Sequence, residues 1–99
     1  MYNSEILPFA KKDISEAASW YNSKEKGLGN RFIQAVRNKV MLIRQNPKIS
    51  SIRYDTVQTA VLDIFPFMIH YTVDDFKKIV IIVGVFHTSL DPGRWTKRK

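Results

Sequence analysis

The chain has 99 residues, 44% of them hydrophobic, which suffices for the core of one domain spanning residues 1–99. It contains no cysteine, which excludes a disulfide scaffold, thiolate metal sites and cysteine nucleophiles. Sixteen Lys and Arg against nine Asp and Glu give a net charge of +7, and a basic surface favours anionic partners such as nucleic acid or an acidic protein.

No segment of the sequence predicts a membrane span, a signal peptide or a cofactor site. The longest apolar run, 79–86, is too short to cross a bilayer, and residues 1–8 lack a basic start and a long apolar stretch. The two histidines have no neighbouring carboxylate at metal-binding spacing, and there is no phosphate-binding glycine loop. We therefore expect a cytoplasmic protein without membrane association, metal or cofactor.

The first half of the chain predicts a strand and two helices. The apolar segment Tyr2–Phe9 is typical of a short strand. Residues 10–26 and 30–46 predict helices, because apolar residues recur there at helical spacing. Gly27 and Gly29 interrupt the pattern, so the connection is short and the helices form an antiparallel hairpin. Asn30 is the expected N-cap of the second helix, and Pro47 ends it.

The second half predicts three strands. The first runs through 57–65, with Pro66 after it, and the second alternates in polarity from Phe67 to Val73. The run 79–86 is apolar on both faces, which is typical of a central strand. The order β-α-α-β-β-β predicts an α+β fold in which the helical hairpin packs on a four-stranded, largely antiparallel sheet.

Several short motifs occur in an order that identifies a family. They are Asp13-Ile14, Trp20-Tyr21, Gly27-Leu28-Gly29, Arg31-Phe32, Asn46-Pro47, Phe65-Pro66-Phe67, and a tail with His87, Asp91-Pro92, Trp95 and Arg98. Over about ninety residues, this set resembles the RelE/ParE toxin superfamily, also called plasmid stabilisation proteins. The resemblance implies the toxin component of a type II toxin–antitoxin system, which inhibits growth until a cognate antitoxin protein neutralises it.

The family has two branches with different targets. One cleaves messenger RNA on the ribosome, and its strands carry cations that hold the RNA backbone. The other, ParE, acts on DNA gyrase. This chain has Gln58 and Thr59 in the strand that leads to Phe-Pro, where family members often have arginines, and Asp63 where a basic residue is common. We therefore favour ParE-like action on gyrase.

His87, Arg53, Tyr71 and Arg94 are the candidate catalytic residues if the protein is a ribonuclease. An imidazole suits general acid–base catalysis near neutral pH, and arginines suit a phosphate. The alternatives are structural: His87 orients the segment that follows it, and Tyr71 is a half-buried core residue with its hydroxyl at the surface.

The last eight residues form a basic arm that contains Arg94, Trp95, Lys97, Arg98 and Lys99. Cations with an aromatic among them are typical of a phosphate- and base-binding segment. With His87, this arm is the candidate target-binding surface, and the alternative is a solvated tail. Trp20-Tyr21 is expected to pack on the sheet, His70 to be structural, and Asp13 to be a capping residue.

Three functions remain compatible with the sequence. The first is a non-enzymatic toxin that poisons gyrase, and the second is a ribosome-dependent endoribonuclease. The third is a basic RNA-binding module, or a toxin that has lost its activity. The sequence does not decide whether the protein is an enzyme.

Overall fold

The fold is that of a computed structural model, which describes residues 1–90 and Gly93. The helices and strands in chain order are β1 (Asn3–Ile6), α1 (Pro8–Lys24), α2 (Leu28–Gln45), β2 (Ile52–Tyr54), β3 (Val57–Val61), β4 (Phe67–Asp74) and β5 (Ile79–His87).

The strands form one sheet in the order β1-β5-β4-β3-β2. Strand β1 pairs with β5 in parallel, and the other three pairings are antiparallel. The predicted α+β class, helical hairpin and largely antiparallel sheet are confirmed, with one strand more than expected. The additional strand β2 has only three residues, two of them exposed at the sheet edge, so it leaves almost no periodic signal in the sequence.

The first strand and helix differ from prediction at their boundary. The strand ends at Ile6, and α1 begins at Pro8 rather than at Ala10. A proline is favourable at the first helical position, because its missing N–H would have no intrahelical partner there. Pro8 therefore starts the helix and is not part of the strand predicted over Tyr2–Phe9.

The second helix begins at Leu28, so Asn30 is not its N-cap. Gly27 takes that position with φ of 87°, a left-handed conformation that favours glycine. Gly29 lies against α1: its N–H donates to the Asn22 side-chain oxygen at 2.7 Å, and a Cβ added there would collide with the Ala18 carbonyl oxygen. The two glycines thus allow a tight turn and a close approach of the helices.

The core lies between the helical hairpin and one face of the sheet. Its largest fully buried side chains come from α2, β4 and β5 and include Phe32, Ile43, Ile69, Tyr71, Val80 and Ile82. As the stripe of α2 predicts, Phe32, Val36, Val40 and Ile43 all face this core. We call this side of the sheet the inner face and the opposite side the outer face.

Candidate functional site

The outer face is largely uncharged. Strand alternation and cross-strand pairing place Thr59 opposite His70 and Met68 opposite Phe86 on this face. Strands β3, β4 and β5 contain no Lys or Arg along their described length. The central strands therefore present no cation to a phosphate on either face.

His70 lies at the centre of a small aromatic group on the outer face. Its ring is fully buried, 4.7 Å from the Phe86 ring centroid, and its Nδ1 lies 3.0 Å from the Tyr54 hydroxyl. Met68 and Phe86 form the buried pair against which Tyr54 and Leu90 pack. No sequence signal identifies Tyr54 as a partner of His70, because this tyrosine belongs to the short strand β2.

His87 ends β5 and is exposed. Its ring packs 5.2 Å from the Phe67 ring centroid. Its Nδ1 accepts hydrogen bonds from the Ser89 N–H at 3.0 Å and from the Ser89 hydroxyl at 2.7 Å. The hydrogen bond from the Ser89 N–H favours the neutral tautomer with the proton on Nε2, in which Nε2 is a donor.

Tyr71 lies on the inner face, away from solvent, so its hydroxyl is not at the surface. It donates to the Pro47 carbonyl oxygen at 2.9 Å and lies 2.9 Å from the Ser50 hydroxyl. Burial raises the pKa of the Tyr71 phenol above its ordinary value of 10.0, so the group is harder to deprotonate than an exposed tyrosine. The inner position and these hydrogen bonds make Tyr71 a residue of the core.

Gln58 belongs to the same buried network. Its side-chain amide donates to the carbonyl oxygens of Pro47 at 2.8 Å and Ser50 at 2.6 Å, and to the Tyr71 hydroxyl at 3.3 Å. An amide held in this way closes the loop after α2 onto β3. The position that often holds an arginine in the family is thus inside the protein in this chain.

Among the described residues, the remaining candidates do not form one centre with His87. Arg53 is exposed on edge strand β2, three strands from β5, which corresponds to about 14 Å across the sheet. Asp63 faces α2, where it pairs with Lys39 at 3.3 Å. Arg94, Trp95, Lys97, Arg98 and Lys99 lie outside the described residues.

Two further predictions are wrong in detail. Trp20 does not pack on the sheet: it is 57% exposed, with the Lys24 ammonium 5.1 Å from its ring centroid. Its neighbour Tyr21 is the packing residue, against Phe32, Phe65 and Phe67.

Asp13 is not a capping residue. It lies within α1, and its carboxylate accepts a hydrogen bond from the Val85 N–H of β5 at 3.0 Å.

A groove on the helical side of the molecule is not predicted by any sequence motif. It has a volume of about 590 Å³ and runs between α1, α2 and β1. Its apolar lining residues are Ile6, Ile14, Ala18, Ile33, Val36 and Val40. Lys11 of α1 and Arg37 of α2 also line it. Of the five basic residues between positions 30 and 48, Arg37 lines the groove.

The part of the chain that is described contains neither a metal-binding cluster nor a membrane-spanning helix. No three His, Asp or Glu residues there are grouped as a metal site. Neither helix is long and apolar enough to cross a bilayer.

The fold is shared with solved toxins of toxin–antitoxin systems. The chromosomal ParDE system from P. aeruginosa matches with a TM-score of 0.74 and 18% identity, over 88% of this chain and 96% of that one. The intact E. coli RelBE complex matches with a TM-score of 0.69, also at 18% identity and over 88% and 96% of the two chains. RelBE2 from Mycobacterium tuberculosis gives 0.65 at 16% identity, over 87% and 96%.

Comparison of the sequence with curated proteins and with family models gives one informative match. The curated proteins give no match. The family model for the ParE toxin of the type II toxin–antitoxin system parDE matches residues 5–92, which include both helices and strands β2 to β5. The chain therefore belongs to the ParE toxin family of type II toxin–antitoxin systems.

Proposed function

We propose that this toxin acts on DNA gyrase as a protein poison and is not a ribonuclease. The observation that carries the proposal is the absence of Lys and Arg from the described central strands, where an RNA-cleaving relative would place them. Catalysis at phosphate needs cations held on a rigid element to meet the charge of the transition state. A protein poison needs only a binding surface.

The local geometry of His87 supports the same choice. The hydrogen bond from the Ser89 N–H to Nδ1 favours the tautomer with the proton on Nε2, and in that tautomer Nε2 is a donor and not a base. Use as a base would require the other tautomer, which breaks the Ser89 N–H bond. Tyr71 is buried, and Arg53 lies three strands away.

The test is induction of the toxin with two readouts in parallel. We expect a DNA-damage response, inhibition of purified gyrase, and intact messenger RNA on ribosomes. His87→Ala should keep the fold, because the ring is exposed. Fresh cuts in ribosome-bound message that disappear in a folded His87→Ala variant would move the protein to the ribonuclease branch. That branch is the second candidate, because His87 is exposed at the end of a rigid strand.

We also propose that a cognate antitoxin binds across the helical side. The groove offers an apolar floor with Lys11 and Arg37 on it, which fits an amphipathic segment with acidic residues. Within the described chain, strand β1 has a partner on one side only, so its other edge is open to strand addition. Solved relatives are themselves toxin–antitoxin complexes.

Co-expression with the small protein encoded beside the toxin tests this proposal. A stable complex should form at low salt. Reversal of both groove cations, Lys11→Glu with Arg37→Glu, should weaken it strongly. Lys48→Glu, an exposed charge reversal outside the groove, is the control and should have little effect. Failure of the wild-type pair to co-purify would contradict the antitoxin partner, and equal effects of both variants would contradict the groove.

A further inference from the structure

The hairpin between β4 and β5 carries a phenylalanine at its tip. Phe76 is 96% exposed, the highest value among the large hydrophobic side chains of the described chain. Turns favour Gly, Asn, Asp, Ser and Pro, because these residues suit the backbone or hydrogen-bond to it. Nothing in the geometry of this turn requires an aromatic ring.

The turn itself is well ordered by hydrogen bonds. The Asp74 carboxylate accepts from the Lys77 N–H at 3.0 Å, inside the loop. Lys78 adopts a left-handed conformation with φ of 58°, and its carbonyl oxygen accepts from the Asn3 N–H at 3.0 Å. The backbone on both sides of Phe76 is therefore held in one arrangement.

Tyr2 attaches the loop to the start of the chain. Its hydroxyl donates to the Asp75 carboxylate at 2.7 Å, and the Lys78 ammonium lies 5.3 Å from the centroid of its ring. A rigid loop loses little conformational entropy when it binds a partner. The tip thus presents Phe76 in a form suited to binding.

We propose that Phe76 is an anchor that inserts into an apolar pocket of a protein target. Aromatic anchors in desolvated pockets contribute most of the energy of many protein interfaces. The proposal rests on the proposed function, in which the toxin acts by binding a protein.

The charges of the tip favour a protein over a nucleic acid. Asp74 and Asp75 balance Lys77 and Lys78, so the tip has no net charge to offer a phosphate backbone. The tip lies at the end of β5 opposite His87, about 26 Å away at the rise of a strand, and is therefore a separate contact surface.

The test compares variants at position 76 by growth arrest at matched toxin levels. Phe76→Ala should raise the toxin level needed for half-maximal arrest by about tenfold or more, as for an aromatic hot spot. Phe76→Leu should keep most of the activity, because a pocket accepts another large apolar side chain. Ile64→Ala is the control: this side chain is 78% exposed and precedes the other end of β4. All variants should melt at the wild-type temperature.

The outcomes separate this proposal from the proposed function. Full arrest by Phe76→Ala overturns the contact and leaves the toxin function standing. Loss of arrest in Phe76→Leu, with full arrest in Phe76→Trp, indicates stacking on a nucleobase and overturns the protein pocket. A wild-type chain that does not arrest growth overturns the toxin function and the contact with it.

Discussion

Tyr71 is a candidate catalytic residue by its chemistry, but its surroundings make it a structural residue. Its hydroxyl is enclosed between Pro47, Ser50 and Gln58, and the three polar partners lie on the loop after α2 and on β3. Strand alternation predicts that this tyrosine and His70 lie on opposite faces of β4, and the structure confirms it. Which face is covered by the helices depends on packing across the whole chain, so the depth of Tyr71 could not be predicted from β4 alone.

Tyr71→Phe should lower the free energy of unfolding by about 1–3 kcal/mol, because the Pro47 carbonyl and the Gln58 amide lose a buried partner. Chemical denaturation at pH 7 measures the change. Tyr21→Phe is the matched control, since the described contacts of Tyr21 are made by its ring. Equal losses in the two variants would show that the network contributes nothing.

The raised pKa of Tyr71 also predicts an alkaline limit of stability. Burial favours the neutral phenol in the folded state, so the folded pKa lies above the unfolded value of 10.0. The stability from this group is complete below pH 10 and is lost as the pH rises through the folded pKa. Unfolding curves between pH 8 and 11 should be shallower in their pH dependence for Tyr71→Phe than for the wild type. Identical pH profiles would contradict this assignment.

At the level of secondary-structure elements, the helical hairpin depends on one apolar stripe. Val36 is 3% exposed and faces the sheet from the middle of α2. Val36→Asp should unfold the domain, because an unpaired buried carboxylate costs about 2–7 kcal/mol or more. Gln34→Asp, an exposed change in the same helix, should leave the melting temperature close to that of the wild type. An unchanged melting temperature for Val36→Asp would be inconsistent with the packing of α2.

Gly29 sets the distance between the two helices. A methyl group at this position meets the Ala18 carbonyl oxygen and the Asn22 side chain, so the helices must separate. Gly29→Ala should therefore destabilise the protein by about 1–3 kcal/mol, although alanine is the better helix former. Thermal unfolding measures the loss. A gain in stability would mean that the hairpin tolerates a wider spacing.

The elements differ in how far their sequence determines them. The stripe of α2 and the apolar run of β5 predict those elements closely, because each has a strong period or a long buried run. Strand β2 is not predicted, since three residues at a sheet edge carry no period. The starts of α1 and α2 differ from prediction by two residues, because Pro8 and Gly27 act through backbone conformation and not through hydrophobicity.

For the whole molecule, the basic arm is the largest concentration of charge. Four of the sixteen cations lie in residues 94–99. Removal of these residues should relieve growth arrest and leave the melting temperature largely unchanged. The arm's contribution to binding should be larger at low salt, because exposed charges are screened. A full-length variant with the four cations changed to Gln is the matched control. Equal toxicity of the truncated chain would show that the arm plays no part.

The candidate site is less predictable than the fold. His87, Arg53 and Tyr71 are candidates because of their side-chain chemistry, but the fold places them apart. His87 ends β5, Arg53 is on the edge strand β2 and Tyr71 is in the core. The groove has no sequence motif, because its lining is made by the packing of three consecutive elements, β1, α1 and α2. The basic run between positions 30 and 48 does not locate the groove either, since Arg37 is its one member in the lining and Lys11 comes from α1.

The parallel pairing of β1 with β5 has a consequence for the order in which the protein folds during synthesis. Asn3 is opposite Ile79, so the first strand finds its partner only when the last one exists. Loops this long close slowly, and sheets built on distant pairings fold late. During synthesis, the first strand therefore stays unpaired until residues 79–82 have been made. The five-stranded sheet can therefore form only after β5 has been synthesised.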